Sequence, residues 1–254
     1  MPLIATLHLP GFGRELRQLG AAAKLWAPAF VVSLVLAASA WAQTAADITT
    51  SQPPNLGDLK QQARTYHDTG AYERDLAAAA AAARAYVEDR AGEVERPALV
   101  LDIDETALTN WPEIEVNDFG YIPNGPCRMP KGPCGVRAWE LLGRAKPIVP
   151  TLELFDAAKT KGVAVFFVTG RDETERPATE RNLRAAGYRG WTALIMRPAG
   201  VHTASAADFK APERAKIAAK GYTIIANVGD QPSDLEGGYA ERSFLLPNPF
   251  YRVR

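Results

Sequence analysis

Residues 97–110 read P-A-L-V-L-D-I-D-E-T-A-L-T-N. Ala98 to Leu101 is an apolar run with no helical period, set behind Pro97, and this pattern predicts a strand buried on both faces of a parallel sheet. Asp102 and Asp104 follow at once. In an open α/β sheet, ligands bind beyond the carboxyl ends of the strands, so two carboxylates there stand where chemistry is expected. Their mutual repulsion would destabilise an empty site, and a bound cation would remove that cost. An isolated D-x-D can equally be a cap for the next element.

The chain around this stretch supports an α/β reading. From Thr151 onward helices and strands alternate: a helix from about Pro150 to Lys161, a strand over Val163–Val168, a helix from about Glu175 to Ala186, and a strand over Ala193–Met196. Lys210 is expected just before a helix that has Pro212 in its first turn; Thr223–Val228 gives the next strand and Ser243–Leu246 a last one. Such alternation implies βαβ units and a parallel sheet covered on both faces. Upstream, Leu56, Leu59, Ala63 and Tyr66 recur at helical spacing, and a second helix after Gly70 carries Tyr72, Leu76, an alanine run and Tyr86 before ending near Gly92. The alanines are good helix formers whose small side chains permit close packing.

Residues 111–150 are rich in Pro, Gly and aromatics, with one helix expected over Val136–Ala145. A loop of that length inside a domain points to function, and its place beyond the first strand suits a cap over the site. Trp111, Phe119, Tyr121 and Trp139 are candidates to touch a substrate's organic part, or else form the cap's own core.

With 254 residues the chain can build one sizeable domain plus an accessory piece. Its net charge of zero gives no basic field, which sets nucleic-acid binding aside. Arg14, Arg17 and Lys24 precede an uncharged apolar stretch, Leu25–Ala40, closed by two A-x-A sites. This is a secretory signal pattern, with cleavage expected after Ala42, so that 1–42 is the signal, 43–54 a flexible mature N-terminus and 55–254 the domain. The alternative is an uncleaved anchor, for which the run is short and interrupted by Pro28. Cys127 and Cys134 are the two cysteines, and in an oxidising compartment so close a pair reads as a disulfide.

Three further segments join the first. V-A-V-F-F-V-T-G-R puts Thr169 at a strand end with Gly170 and Arg171 turning the chain; D-F-K-A-P-E-R supplies Lys210 as a point cation; A-N-V-G-D-Q-P-S-D-L uses Gly229 to turn and presents Asp230 and Asp234. A hydroxyl and backbone amides at a strand terminus can cradle phosphate. In this order, with D-I-D-E-T first, the four resemble the motifs of the haloacid-dehalogenase (HAD) superfamily of phosphotransferases. G-D-Q-x-S-D-L, with Y-H-x-x-G-x-Y at Tyr66–Tyr72, looks like its acid phosphatase branch, subfamily IIIB, which includes bacterial class C acid phosphatases and plant acid phosphatase or vegetative storage proteins.

The resemblance covers about Leu56 to Pro247 and implies a Rossmann-like parallel sheet with helices on both faces. It also implies a small cap built from the N-terminal helices and the insert. The implied activity is an exported, Mg²⁺-dependent acid phosphatase acting on phosphomonoesters, nucleoside monophosphates among them. Asp102 would be the nucleophile, Asp104 the general acid and base, and Thr169 and Lys210 the phosphate holders. Metal ligands would be Asp102, the Asp104 backbone carbonyl, Asp230 and Asp234, the last binding directly or through a metal-bound water. Many bacterial relatives are lipid-anchored, whereas no Cys stands near the cleavage site here, so a periplasmic or secreted protein without a stable anchor is expected. Family members often dimerise, which leaves a homodimer open. Against a dehalogenase stand Asp104, Asp230 and Asp234, which such chemistry does not need. A catalytically silent storage protein is the alternative of another class; plant storage members can lose the nucleophile, which this chain keeps.

Overall fold

A computed structural model describes residues 52–201 and 203–253. The expected signal segment lies outside these residues. Among the described residues, no helix is long and apolar enough to cross a membrane.

Two helices come first, α1 (Leu56–Asp68) and α2 (Ala71–Arg90), separated at Gly70, whose φ of 72° favours glycine. The elements that follow are β1 (Pro97–Leu101), β2 (Leu108–Thr109), α3 (Trp111–Val116), α4 (Val136–Leu142), β3 (Lys146–Pro147), α5 (Val149–Thr160) and β4 (Ala164–Asp172). A 3₁₀ turn (Glu173–Glu175) leads into α6 (Arg176–Ala185), then β5 (Ala193–Arg197), α7 (Ala207–Ala219), β6 (Thr223–Gly229), α8 (Pro232–Leu235) and β7 (Arg242–Leu245).

Five strands form one parallel sheet in the order β5-β4-β1-β6-β7. The chain runs outward from β1 through β4 to β5, then returns to the other side of β1 for β6 and β7, so the strand order reverses at β1. At such a switch point a crevice opens beyond the carboxyl ends of the strands. The apolar run of β1 is buried on both sides, as its composition predicts. Leu99 and Leu101 face a core with Leu76 and Val87 of α2, Leu154 and Phe155 of α5 and Leu183 of α6. Ala98 and Val100 face the opposite layer, where Phe209 and Ile217 of α7 pack. The alanine run of α2 buries Ala80 and Ala83 between Leu76 and Val87, a stripe at helical spacing.

Residues 110–145 leave the sheet as an excursion closed at its base. β2 and β3 pair antiparallel, Leu108 opposite Pro147 and Thr109 opposite Lys146. Within the insert a disulfide joins Cys127 to Cys134. Asn117 pins that loop twice, donating from Nδ2 to the Cys134 carbonyl at 2.7 Å and accepting the Cys134 amide at 2.9 Å.

Several boundaries differ from the sequence reading. The insert holds an extra helix, α3, and the helix expected to reach Ala145 stops at Leu142 because Gly143 turns left-handed with φ 61°. Lys210 and Pro212 both lie inside α7, which begins at Ala207, so Lys210 is a first-turn residue rather than one preceding the helix. The two N-terminal helices divide their work. Lys60 and Arg64 of α1 pair with Asp118 in the insert at 2.6 and 2.8 Å, while α2 joins the helical layer on the sheet.

Candidate active site

Asp102 directly follows β1, and its amide donates to the Val228 carbonyl at 3.0 Å, which carries the β1–β6 pairing one residue past the strand end. Asp230 follows β6 and Asp234 lies in α8. The carboxylates of Asp102, Asp230 and Asp234 come together, one oxygen from each lying within 4.8 Å of the others, and all three residues are buried. Lys210, from the first turn of α7, sets its ammonium between two of them: it donates to Asp102 Oδ1, and to Asp234 Oδ1 at 2.7 Å.

Local chemistry fixes each acid. Asp234 Oδ2 accepts the Gln231 amide at 2.9 Å, and the buried Arg214 donates to the carbonyls of Asp234, Glu236 and Gly238, holding the α8 turn. Gly229 was expected as a turn residue. Its requirement is one of space, since a Cβ there would come within 2.5 Å of the Asp234 side chain. Asp230 accepts from three neutral donors, Thr106 Oγ1 at 3.1 Å, Gln231 Nε2 at 2.6 Å and Asn248 Nδ2 at 2.8 Å.

Asp104 is oriented differently. Arg171 grips it with Nη2 at 2.6 Å and Nε at 3.1 and 3.2 Å, and Asn110 Nδ2 adds a bond at 2.8 Å. The glycine and arginine of the second motif do not end the strand; β4 runs on through Asp172 with a register irregularity after Thr169. Thr169 is fully buried at the sheet edge, its hydroxyl oxygen accepting the Arg171 amide at 3.1 Å.

The electrostatics follow from burial and crowding. Desolvation raises the Asp102 carboxyl well above the usual range; Lys210 opposes this, and the Asp234 and Asp230 charges add to it. Asp230 is pushed up to about 7 by burial and by Asp234. Burial also pushes on Asp104, but the Arg171 charge and hydrogen bonds outweigh it and hold that carboxyl low. Of three buried acids, Asp102 and Asp234 thus share one lysine while Asp230 has neutral donors alone, so carboxylates outnumber the ammonium and present hard oxygens. That donor set fits a divalent cation such as Mg²⁺.

Beside this cluster lies a cavity of about 850 Å³, bounded by Asp104, Gly170 and Arg171 at the sheet edge and by Phe119, Tyr121 and Trp139 of the insert. Trp111 is not part of it. Its ring stacks on His67 of α1 at 3.7 Å and joins Phe119 of the insert and Phe250 of the C-terminal segment in an aromatic cluster.

Two residues escaped the sequence reading as site groups. The sequence suggests a turn at Arg171, which lies instead within β4; a charge three residues past the apolar run Val163–Val168 was the available signal. Glu105, inside the first motif, is buried with φ 49°; its carboxyl accepts from Asn110 N at 2.5 Å and Tyr251 Oη at 2.8 Å and is raised by burial to about 8.

The sequence matches the model of the HAD superfamily, subfamily IIIB (Acid phosphatase), over residues 31–254. Acid phosphatase 1 of Solanum lycopersicum is 34% identical over 163 residues, 64% of this chain and 61% of that protein. The stem 28 kDa glycoprotein of Glycine max is 32% identical over 158 residues, 61% of this chain and 59% of that protein. The chain therefore spans about three fifths of the length of these curated relatives. Its fold is similar to that of a class C acid phosphatase from Bacillus anthracis, crystallised with tungstate bound, with a TM-score of 0.61 at 18% identity, covering 78% of this chain and 86% of that one. With the sheet-edge acids, Lys210 and the family match in agreement, the chain belongs to the HAD superfamily, subfamily IIIB, of acid phosphatases.

Proposed function

We propose that this chain is an exported, Mg²⁺-dependent acid phosphatase that hydrolyses small phosphomonoesters through an aspartyl-phosphate. The observation that carries the reading is the split between the two aspartates of the first motif. Asp102 lies in the acid cluster against Lys210, whereas Asp104, two residues on, is turned to Arg171 and Asn110.

In the first step an Asp102 carboxylate oxygen attacks phosphorus, the ester P–O bond breaks, and Asp104 gives its proton to the leaving oxygen. In the second step Asp104 takes a proton from water, the water oxygen attacks phosphorus, and the Asp102–phosphorus bond breaks to release inorganic phosphate. Asp104 must carry a proton at the outset. The resting Arg171 clamp favours its ionised form, and the negative charge of an arriving phosphate opposes that bias. Lys210 neutralises phosphate oxygens, and Thr169 with the backbone amides after it would hold others.

Asp102, Asp230, the Asp104 main-chain carbonyl and Asp234, directly or through water, would hold Mg²⁺. The ion would supply charge neutralisation for the phosphate and the attacking carboxylate. Export is supported by the N-terminal signal pattern and by the Cys127–Cys134 disulfide, a bond that persists in oxidising compartments. The test is release of phosphate from an aryl phosphate by the purified protein with and without Mg²⁺. Metal-dependent turnover is the expected result; Mg²⁺ binding with no turnover on a panel of phosphomonoesters would instead favour the silent storage reading.

A further inference from the structure

Between the insert and the sheet edge runs a chain of hydrogen bonds through one amide side chain. Trp139 of α4 donates from Nε1 to Asn110 Oδ1 at 2.8 Å. The other end of that amide, Nδ2, donates to Asp104 Oδ1 at 2.8 Å and to Glu105 Oε2 at 3.1 Å. Asn110 and Trp139 are both buried. The direction of the amide is set by chemistry, because an indole nitrogen can only donate and the Asp104 carboxylate gripped by Arg171 can only accept. A rotated amide would present its carbonyl oxygen to Asp104 and its NH₂ to an indole N–H, losing both bonds together.

We propose that Asn110 is a positioning residue that transmits the seating of the insert helix, through Trp139, to the Asp104 carboxylate. This rests on the acid–base role given to Asp104 above. Trp139 reaches Asn110 only when α4 is seated, and contacts on several sides help to seat it. Gly135, at its N-terminus, packs so closely that a Cβ would come within 2.6 Å of the Gly125 carbonyl oxygen. Asn117 clamps the neighbouring Cys134. Arg181 of α6 donates to the Leu141 carbonyl at 3.2 Å. Arg171 holds Asp104 from the sheet side and Asn110 holds it from the insert side. Proper aim of the proton donor thus requires the wall of the substrate cavity to be in place, so proton transfer to the leaving group is favoured when that wall is closed.

The test compares Trp139→Phe with the parent on two substrates, ethyl phosphate, whose alkoxide must be protonated as it leaves, and p-nitrophenyl phosphate, whose phenolate need not be. Phe keeps an aromatic ring in the core but removes the indole donor together with part of the ring, so the substrate ratio rather than the overall rate is the readout. The ratio of kcat/KM on ethyl phosphate to that on p-nitrophenyl phosphate should fall about tenfold, part of the roughly 10² to 10⁴ that proton transfer supplies. Asn110→Ala should shift the ratio the same way, and Asp104→Asn should shift it further while Mg²⁺ still binds. Equal losses on both substrates in Trp139→Phe would make the residue a packing group and overturn the proposal. A selective loss in Asp104→Asn with none in Trp139→Phe overturns the coupling alone. Indifference of the ratio in Asp104→Asn overturns the acid assignment, and the coupling falls with it.

Discussion

Lys210 and Asp234, contributed by two helices 24 residues apart in sequence, meet at 2.7 Å with Asp102 on the same ammonium. One buried cation therefore ties the end of β1 to α8. In metal-free protein, Lys210→Met leaves two buried carboxylates facing each other and should cost about 3 kcal/mol at neutral pH, the scale for removing one partner of a buried pair. Chemical denaturation measures it. Added Mg²⁺ should recover part of the loss, and no recovery would count against a cation site at these acids.

Asp102→Asn should reduce turnover by about 10³-fold or more, since an amide is a poor nucleophile, and leave the fold intact because the amide is nearly isosteric. Phosphate release and the thermal midpoint are the two readouts. Substantial residual activity would remove Asp102 from the nucleophile role.

Glu113 yields a pH prediction. Burial pushes this carboxyl up to about 7 from the ordinary 4.5, with an opposing hydrogen bond from Asn117. Between those values the folded state binds a proton that the unfolded chain has released, so stability from this group is present below 4.5 and is lost as pH rises through about 7. Glu113→Gln keeps an acceptor for Asn117 and removes the titration. Its stability relative to the parent should therefore improve from pH 5 to pH 8; a constant difference in denaturation midpoints across that range would refute the assignment.

The Cys127–Cys134 bond closes a short loop beside the cavity wall, seven residues apart in sequence, so its removal should cost at most about 3 kcal/mol. A Cys127→Ser, Cys134→Ser variant should keep Mg²⁺ binding, which depends on the sheet edge, and show a raised KM for bulky phosphomonoesters with a smaller change for small ones. An equal loss on both classes would separate this loop from the substrate's organic part. Two free thiols in the native protein would remove the premise.

The apolar run before Asp102, the alternation after Thr151 and the four motif segments were enough to place a parallel sheet with Asp102, Asp104, Thr169, Asp230 and Asp234 at or just beyond its edge. Those features are local: a buried strand must be continuously apolar, and a residue that follows it must lie at its carboxyl end. Helix boundaries were less legible. The position of Lys210 inside α7 was hidden by Pro212, which usually marks a helix start and here lies in the interior.

What the sequence alone determined is which groups reach the sheet edge, because strand periodicity and chain order fix that without reference to distant residues. Tertiary structure decided how they pair. Lys210 lands between Asp102 and Asp234 only because α7 packs across the sheet, and Arg171 finds Asp104 only because β4 lies beside β1. Gly229 is needed for the room it leaves Asp234, and Asn110 takes its orientation from a tryptophan 29 residues away. Such contacts depend on side chains brought within hydrogen-bond range by the packing of whole elements, and no local spacing encodes them.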